Sequence, residues 1–318
     1  MRKCLFGWCY GSYNFRTKLS GRQIELLSTM VENCNLTKPT EIHRAIRGFK
    51  FLKFWKGSEY RTFLLYLGAV VLQDFLAIDV YEHFLMLLSA VTILSCEYYK
   101  KYLNIADALL KEYIELYIDI YGIDSISSNV HNLCHVVDDV RKFGSLPEIS
   151  SYAFENYLGY IKSLLRSGNR PLAQISRRII ELSYVTNTPN TKFVIKLNDE
   201  ILNFKNMYNS IHMAEDFILS NNAKNKWFLT NSLEVVSMKY ATRIKGQFNI
   251  HGNLIKNTSD FFKKPLRSSN LHIYALPLKI YTLSDIKCKI FCLKYRNELI
   301  FFPLIHALDY MVEYLKNN

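Results

Sequence analysis

The spacing of the apolar residues changes partway along this chain, and that change constrains the fold more than any other feature. Up to about residue 186, apolar side chains recur at the spacing of one helix face. From Lys226 to Leu304 the apolar runs are shorter, rich in strand-forming residues, and separated by turn formers such as Asn231-Ser232. The pattern predicts a helical part followed by a β part.

Local start and stop signals place the predicted elements. Gly122 and Gly144 end helices, and Pro171 opens one at its first turn. The predicted helices cover residues 17–36, 58–73, 79–97, 100–121, 128–143, 152–166 and 171–185. The predicted strands cover residues 227–229, 233–238, 244–250, 271–276, 279–283, 287–294 and 299–303.

These elements predict a mainly α chain. We expect an all-helical domain over residues 1–186 and a linker over residues 187–225, where little periodicity is present. A small β-barrel-like domain should follow over residues 226–318 and close with a helix from His306 to Lys316.

Composition excludes several classes of protein. Hydrophobic residues make up 49% of the 318 residues and charged residues 21%, which is typical of a globular chain and not of a disordered one. The seven cysteines include no C-x-x-C pair, so neither a disulfide framework nor a zinc ribbon is indicated. The uncharged runs 62–73 and 83–96 are shorter than the roughly 20 residues that span a membrane. With no signal-peptide pattern at the N-terminus, we expect a nuclear or cytoplasmic protein that does not associate with membranes.

A formal net charge of +12 suggests a polyanionic partner such as DNA. Basic residues stand at every third position among aromatic ones, a mixture suited to phosphate contacts and base stacking. On spacing alone an ordinary surface is the favoured alternative, because a three-residue period drifts around an α-helix. The basic residues of this cluster are Arg44, Arg47, Lys50, Lys53 and Lys56.

Further basic candidates for nucleic-acid binding lie later in the chain. Residues 224–267 hold nine basic residues against two acidic ones, so we expect the β part to contribute to DNA binding. The candidates outside the first cluster are Lys162, Arg166, Arg177, Arg178, Lys245, Lys263 and Lys264.

Two histidines, His131 and His135, stand four residues apart and are followed by Asp138 and Asp139. The spacing is typical of metal ligands, but Asn132 stands where a zinc protease has its general-base glutamate. A hydrogen-bonded polar cluster is one interpretation. The other is that His131, His135 and Asp139 support a nearby carboxylate site from its second coordination shell.

Glu155 lies beside the apolar stripe of a predicted helix, and Gly159 leaves open space one turn later. Such a carboxylate could reach a metal ion. Alternatively, it is a helix N-terminal glutamate favoured by the helix dipole.

Several phrases, in this order, resemble animal transposases of the CACTA/EnSpm type, and together they cover nearly the whole chain. They are Pro39-Thr-Glu-Ile-His-Arg-Ala-Ile-Arg47, Trp55-Lys-Gly-Ser-Glu-Tyr-Arg61, Asn129-Val-His-Asn-Leu-Cys-His135 with Asp138-Asp139, Ala153-Phe-Glu-Asn-Tyr157, Arg170-Pro-Leu-Ala-Gln-Ile175, Pro265-Leu-Arg-Ser-Ser269 and Pro303-Leu-Ile-His306.

The resemblance implies an RNase H-like enzyme in which three acids hold two Mg²⁺ ions for phosphodiester transfer. Residues 17–150 would be the family's helical insertion, and Glu155 would be a vestigial third acid. The other two acids would lie upstream of this sequence, and Ala153 stands where the family has proline. We therefore expect a DNA-associated, catalytically incomplete remnant with no cofactor of its own. Its expected partners are DNA and a full-length transposase. The alternative is a helical protein–protein interaction module without DNA binding.

Overall fold

The computed structural model describes residues 1–12, 17–185, 195–200, 207–214, 216–244, 247–255, 260–273, 281–282, 285–295, 298–306 and 308. Helical residues fill the first part of the chain. α1 ends at Gly11, whose φ of 68° suits glycine, and α2 begins with a capping box between Ser20 and Gln23.

The helices are α1 (Arg2–Tyr10), α2 (Gly21–Cys34), α3 (Gly57–Thr62), α4 (Gly68–Val71), α5 (Ile78–Leu94), α6 (Leu103–Tyr121), α7 (Ser128–His131), α8 (Val136–Phe143), α9 (Tyr152–Ser163) and α10 (Pro171–Val185). A 3₁₀ helix spans Phe49–Phe54, and a π turn at Phe63–Leu67 joins α3 to α4. Within the described ranges, no helix is both long and apolar enough to cross a membrane.

The strands form one antiparallel sheet in the described part of the chain. Its main path runs β1-β2-β5-β4-β8-β9. Off this path, β3 pairs with β2, β6 pairs with β5, and β7 pairs with β6. The strands are β1 (Lys196–Glu200), β2 (Met207–Ala214), β3 (Phe217–Ser220), β4 (Trp227–Thr230), β5 (Val235–Ile244), β6 (Gln247–Ile255), β7 (Tyr281–Thr282), β8 (Ile286–Tyr295) and β9 (Glu298–Pro303).

The prediction of a mainly α chain with a β-barrel-like domain is wrong. The sheet is open, because β1 pairs with β2, β9 pairs with β8, and no described pairing joins these two ends. The chain therefore combines helices with a large open antiparallel sheet. Strand patterns in a sequence mark half-buried strands, whereas closure depends on which distant strands pair.

The segment predicted to be a linker, residues 187–225, contains strands. β1, β2 and β3 lie within it, and β2 pairs with β5 through Met207 and Tyr208. Ile211, Phe217 and Leu219 are fully buried. These strands belong to the same sheet as the later ones, so residues 226–318 are only part of that unit.

Two smaller predictions also change. A 3₁₀ turn at Asn132–Cys134 interrupts the helix predicted over residues 128–143. Ser268–Leu271 is a 3₁₀ turn where a strand over 271–276 was predicted, and residues 274–276 lie outside the described residues. Most of the predicted closing helix also lies outside them.

The helices and the sheet share one hydrophobic core. Tyr66 packs edge-on against Phe291 of β8 and Phe302 of β9. Consecutive residues of β8, from Cys288 to Leu293, are buried, so both faces of this strand are covered. The helical part therefore acts as a layer on the sheet.

Candidate nucleic-acid interface

The 3₁₀ helix at Phe49–Phe54 contains Lys50 and Lys53 of the basic cluster, and Lys56 follows it in extended backbone. A 3₁₀ helix has about three residues per turn, so residues three apart lie above one another. Phe49, Leu52 and Trp55 are buried at 1%, 0% and 6% exposure. Lys50 and Lys53, one position after Phe49 and Leu52, are exposed, and Lys56, which follows Trp55 beyond the helix, is exposed as well. We call these three lysines the lysine stripe.

Two aromatic side chains form a second exposed row beside the lysine stripe. Phe51 and Phe54 are 40% and 66% exposed, which is unusual for residues of this size. The Lys50 Nζ atom lies 5.1 Å from the centroid of the Phe51 ring. The Lys53 Nζ atom lies 5.5 Å from the centroid of Tyr10. Cations and solvent-facing rings thus occupy one surface, as in proteins that bind unpaired nucleic-acid strands.

Arg47 has a structural partner. Its Nε and Nη2 atoms donate to Glu59 Oε1 and Oε2 at 2.9 and 2.8 Å, and Nη2 also donates to the Phe54 carbonyl. Burial tends to raise the pKa of Glu59, but hydrogen bonds from Arg47 and from the Lys56 backbone N–H outweigh it, and the pKa is lowered. Arg47 therefore holds the 3₁₀ helix against α3, whereas Arg44 is exposed.

The start of α9 adjoins the end of the lysine stripe. A Cβ placed on Gly57, the residue after Lys56, would collide with the Tyr152 hydroxyl. A cleft of about 500 Å³ lies here and is lined by Arg61, Tyr152 and Asn156, among others. Glu155 lies in the first turn of α9 and is exposed.

The helices α9 and α10 project polar and apolar side chains into solvent. Lys162, Arg166 and Arg177 are exposed and Arg178 is half-buried. Arg177 and Arg178 form exposed ion pairs with Glu181 at 3.1 and 3.2 Å, a type of pair that contributes little to stability. These cations remain accessible to a ligand.

The basic candidates of the β part lie elsewhere. Lys263 and Lys264 are exposed, and the Lys264 Nζ atom lies 3.9 Å from Glu82 on α5. Lys245 lies outside the described residues. No contact between these lysines and the stripe is described, so the candidate interface is built from the helical part.

His131 and His135 come together, but with a partner that the sequence analysis missed. Their ring centroids are 5.6 Å apart. Potential ligand atoms of His131, Cys134 and His135 all lie within 4.8 Å of one another. Asp139 is not in this group. The signal for Cys134 was its position three residues after His131 and next to His135, which places all three on one face of a helical turn.

A family model described as "Domain of unknown function (DUF8592)" matches residues 176–304. The match begins within α10 and contains every strand from β1 to β9. The sheet and the part of α10 from residue 176 onwards are therefore the region of this chain that is similar to that family. No curated protein and no solved structure matches the chain.

Proposed function

We propose that this chain is a DNA-associated protein of the CACTA/EnSpm transposase type that contacts DNA through the lysine stripe. The observation that carries the proposal is the exposure of Lys50 and Lys53 on one side of the 3₁₀ helix and of Lys56 just beyond its end, with Phe51 and Phe54 exposed beside them. A row of cations follows a phosphate backbone, and exposed rings stack on bases.

The exposed rings favour an unpaired or distorted strand as the ligand. Base faces are covered by their neighbours in a duplex, whereas a single strand can present them to Phe51 and Phe54. The net charge of +12 adds long-range attraction to any polyanion. A nuclear or cytoplasmic location agrees with this proposal.

We further propose that the chain does not cut or join DNA by itself. Two-metal phosphoryl transfer needs several carboxylates that converge on two ions. Glu155 is the residue that the resemblance assigns to such a site, and it is not in the possible metal-ligand group found in the described residues. Catalysis with Mg²⁺ would require acids from a full-length partner.

Salt-dependent binding of a fluorescent single-stranded DNA tests the proposal. We expect the triple variant Lys50→Gln/Lys53→Gln/Lys56→Gln to flatten the dependence of log K on log salt by about two, because each lost phosphate contact removes roughly 0.7. The control Lys100→Gln/Lys111→Gln/Lys142→Gln removes the same charge from exposed lysines elsewhere. An equal reduction of the salt dependence in both triple variants would contradict a specific role for the lysine stripe.

Stacking is tested separately with Phe51→Ala and Phe54→Ala. Loss of a stacked base costs about 1–3 kcal/mol, so single-strand affinity should fall about five- to 150-fold at constant salt slope. Unchanged affinity in both variants would mean that the lysine stripe binds DNA through phosphate contacts without base stacking. Tighter binding of duplex than of single strands would contradict the role of the rings.

A protein-interaction module is a second candidate, and the exposed apolar residues of α9 and α10 favour it. No residue of α9 is buried, and Phe154, Leu158, Leu172 and Tyr184 are all more than half exposed. Large exposed apolar surfaces are typical of protein contacts. Association that is insensitive to salt and abolished by Phe154→Glu/Leu158→Glu, with DNA binding absent, would select this candidate.

A further inference from the structure

We propose that His131, Cys134 and His135 form a binding site for one Zn²⁺ ion. The three side chains offer two imidazole nitrogens and one sulfur, and these atoms lie within 4.8 Å of one another. This inference does not depend on DNA binding, because the site lies at the end of α7 and in the turn that leads to α8, and not on the lysine stripe.

The geometry is close to that of a bound ion. Zinc binds nitrogen at about 2.0–2.1 Å and sulfur at about 2.3 Å in a tetrahedron, which places ligand atoms roughly 3.3–3.8 Å apart. From separations of up to 4.8 Å, the three ligand atoms need to approach by at most about 1.5 Å to reach this spacing. His131 and His135 are exposed and Cys134 is half-buried, so rotation of the side chains can supply that movement.

The backbone that carries the ligands is held in place by the core. Val130, Val137 and Val140 on the opposite side of the segment are buried. The His131 N–H donates to the Ser127 carbonyl at 3.0 Å, and the His135 N–H donates to the Asn132 carbonyl at 3.1 Å. The 3₁₀ turn at Asn132–Cys134 packs beside α6. The backbone around the three ligands is therefore already ordered before an ion binds.

The donor set selects a borderline or soft ion. Imidazole and thiolate suit Zn²⁺, whereas Mg²⁺ and Ca²⁺ prefer oxygen. The nearby carboxylate of Asp138 accepts from Arg141 at 2.8 Å, and that arginine also donates to Asn104. Asp139 follows His135 by one turn and is outside the group. Because His131 and His135 are exposed, a fourth ligand would be a water molecule or a side chain of a partner.

Cobalt substitution of the purified full chain tests the site. We expect one equivalent of Co²⁺ to give the intense visible bands of a tetrahedral ion and a sulfur-to-cobalt charge-transfer band. Cys134→Ser should remove the charge-transfer band, and His131→Gln or His135→Gln should weaken binding at least about tenfold. Zn²⁺ should displace Co²⁺ and raise the Tm of the wild type but not that of Cys134→Ser.

The chain offers matched controls. Cys34 is half-buried like Cys134, and His43 is exposed like His131. Cys34→Ser and His43→Gln should leave the spectrum and the stoichiometry unchanged. Circular dichroism of each variant shows whether it is folded, and alkylation of Cys134 by iodoacetamide gives an independent readout because Zn²⁺ should protect it in the wild type.

Three results would overturn the proposal. The first is an octahedral Co²⁺ spectrum without the sulfur band. The second is binding of Co²⁺ that survives in Cys134→Ser, His131→Gln and His135→Gln alike. The third is equal loss of binding in the control variants, which would indicate general surface adsorption.

Discussion

At the scale of single residues, His83 shows how burial sets chemistry in this chain. Its ring is 1% exposed and stacks on Tyr113 at a centroid distance of 4.0 Å. Its Nε2–H donates to the Tyr113 carbonyl at 2.9 Å. Burial lowers the pKa of His83 to about 4, although that hydrogen bond and Asp79 oppose the shift. The neutral imidazole is therefore a structural part of the core.

This setting predicts acid sensitivity. The pKa of His83 in the folded state lies below its unfolded value of about 6.5. The contribution of His83 to the free energy of unfolding is therefore fully present above pH 6.5 and is lost as the pH falls towards 4. We expect His83 to account for about 2 kcal/mol of the stability lost between pH 7 and pH 5. Urea unfolding of His83→Phe should show a correspondingly smaller loss. His43→Phe, at an exposed position, should retain the wild-type loss; equal losses in both variants would contradict the assignment.

At the scale of elements, a buried polar node joins the sheet to the loop after α2. Lys289 of β8 donates to both carboxylate oxygens of Glu41 at 2.6 Å and to Asn225 Oδ1 at 2.8 Å. Glu41 also accepts from the Ile218 N–H of β3 at 3.1 Å. The side chains of Lys289 and Glu41 are 0% and 2% exposed. Burial lowers the pKa of Lys289 to about 8, although the attraction of Glu41 and its hydrogen bond oppose the shift.

Removing one charge from this node should be costly. We expect Lys289→Met to reduce the free energy of unfolding by about 3–5 kcal/mol, because Glu41 is left buried without its cation. The double variant Lys289→Met/Glu41→Gln should recover much of that loss, since the glutamine oxygen can still accept from Ile218. Lys294→Met, at an exposed position of the same strand, is the control. A double variant less stable than Lys289→Met would refute an electrostatic origin.

At the scale of the whole molecule, burial divides the chain unevenly. The helices α1 to α8 and the sheet contribute to one core, whereas α9 has no buried residue and none of the described residues of α10 is buried. Regions with few buried contacts open at low free-energy cost. The helices α9 and α10 are therefore held less firmly than α1 to α8 and the sheet.

Hydrogen exchange should reveal this division. We expect the amides of α9 and α10 to exchange early and those of β5 and β8 to exchange last, near the limit set by global unfolding. Mass spectrometry of peptic fragments measures both in one experiment. Protection of α9 equal to that of β8 would contradict the expectation and would indicate that another copy or a partner covers the helix.

The sequence by itself determined the positions of most helices, although α1 was not predicted and the helix predicted over residues 128–143 is interrupted. Most were predicted to within a few residues, and α10 begins at Pro171 as expected. The physical reason is that helical periodicity, N-terminal proline and terminal glycine act over a few residues of chain. The spacing of Lys50, Lys53 and Lys56 was also visible, as were His131 and His135.

Only the tertiary structure decided how these features combine. Lys50 and Lys53 lie above one another because burial of Phe49 and Leu52 accompanies a 3₁₀ conformation, and Lys56 extends the stripe beyond the end of that helix. The 3₁₀ turn after α7 groups Cys134 with the two histidines. The sheet is open because β1 and β9 lie at opposite ends of a path set by pairings such as β2 with β5 and β4 with β8. Such pairings join residues far apart in sequence, and local spacing carries no information about them.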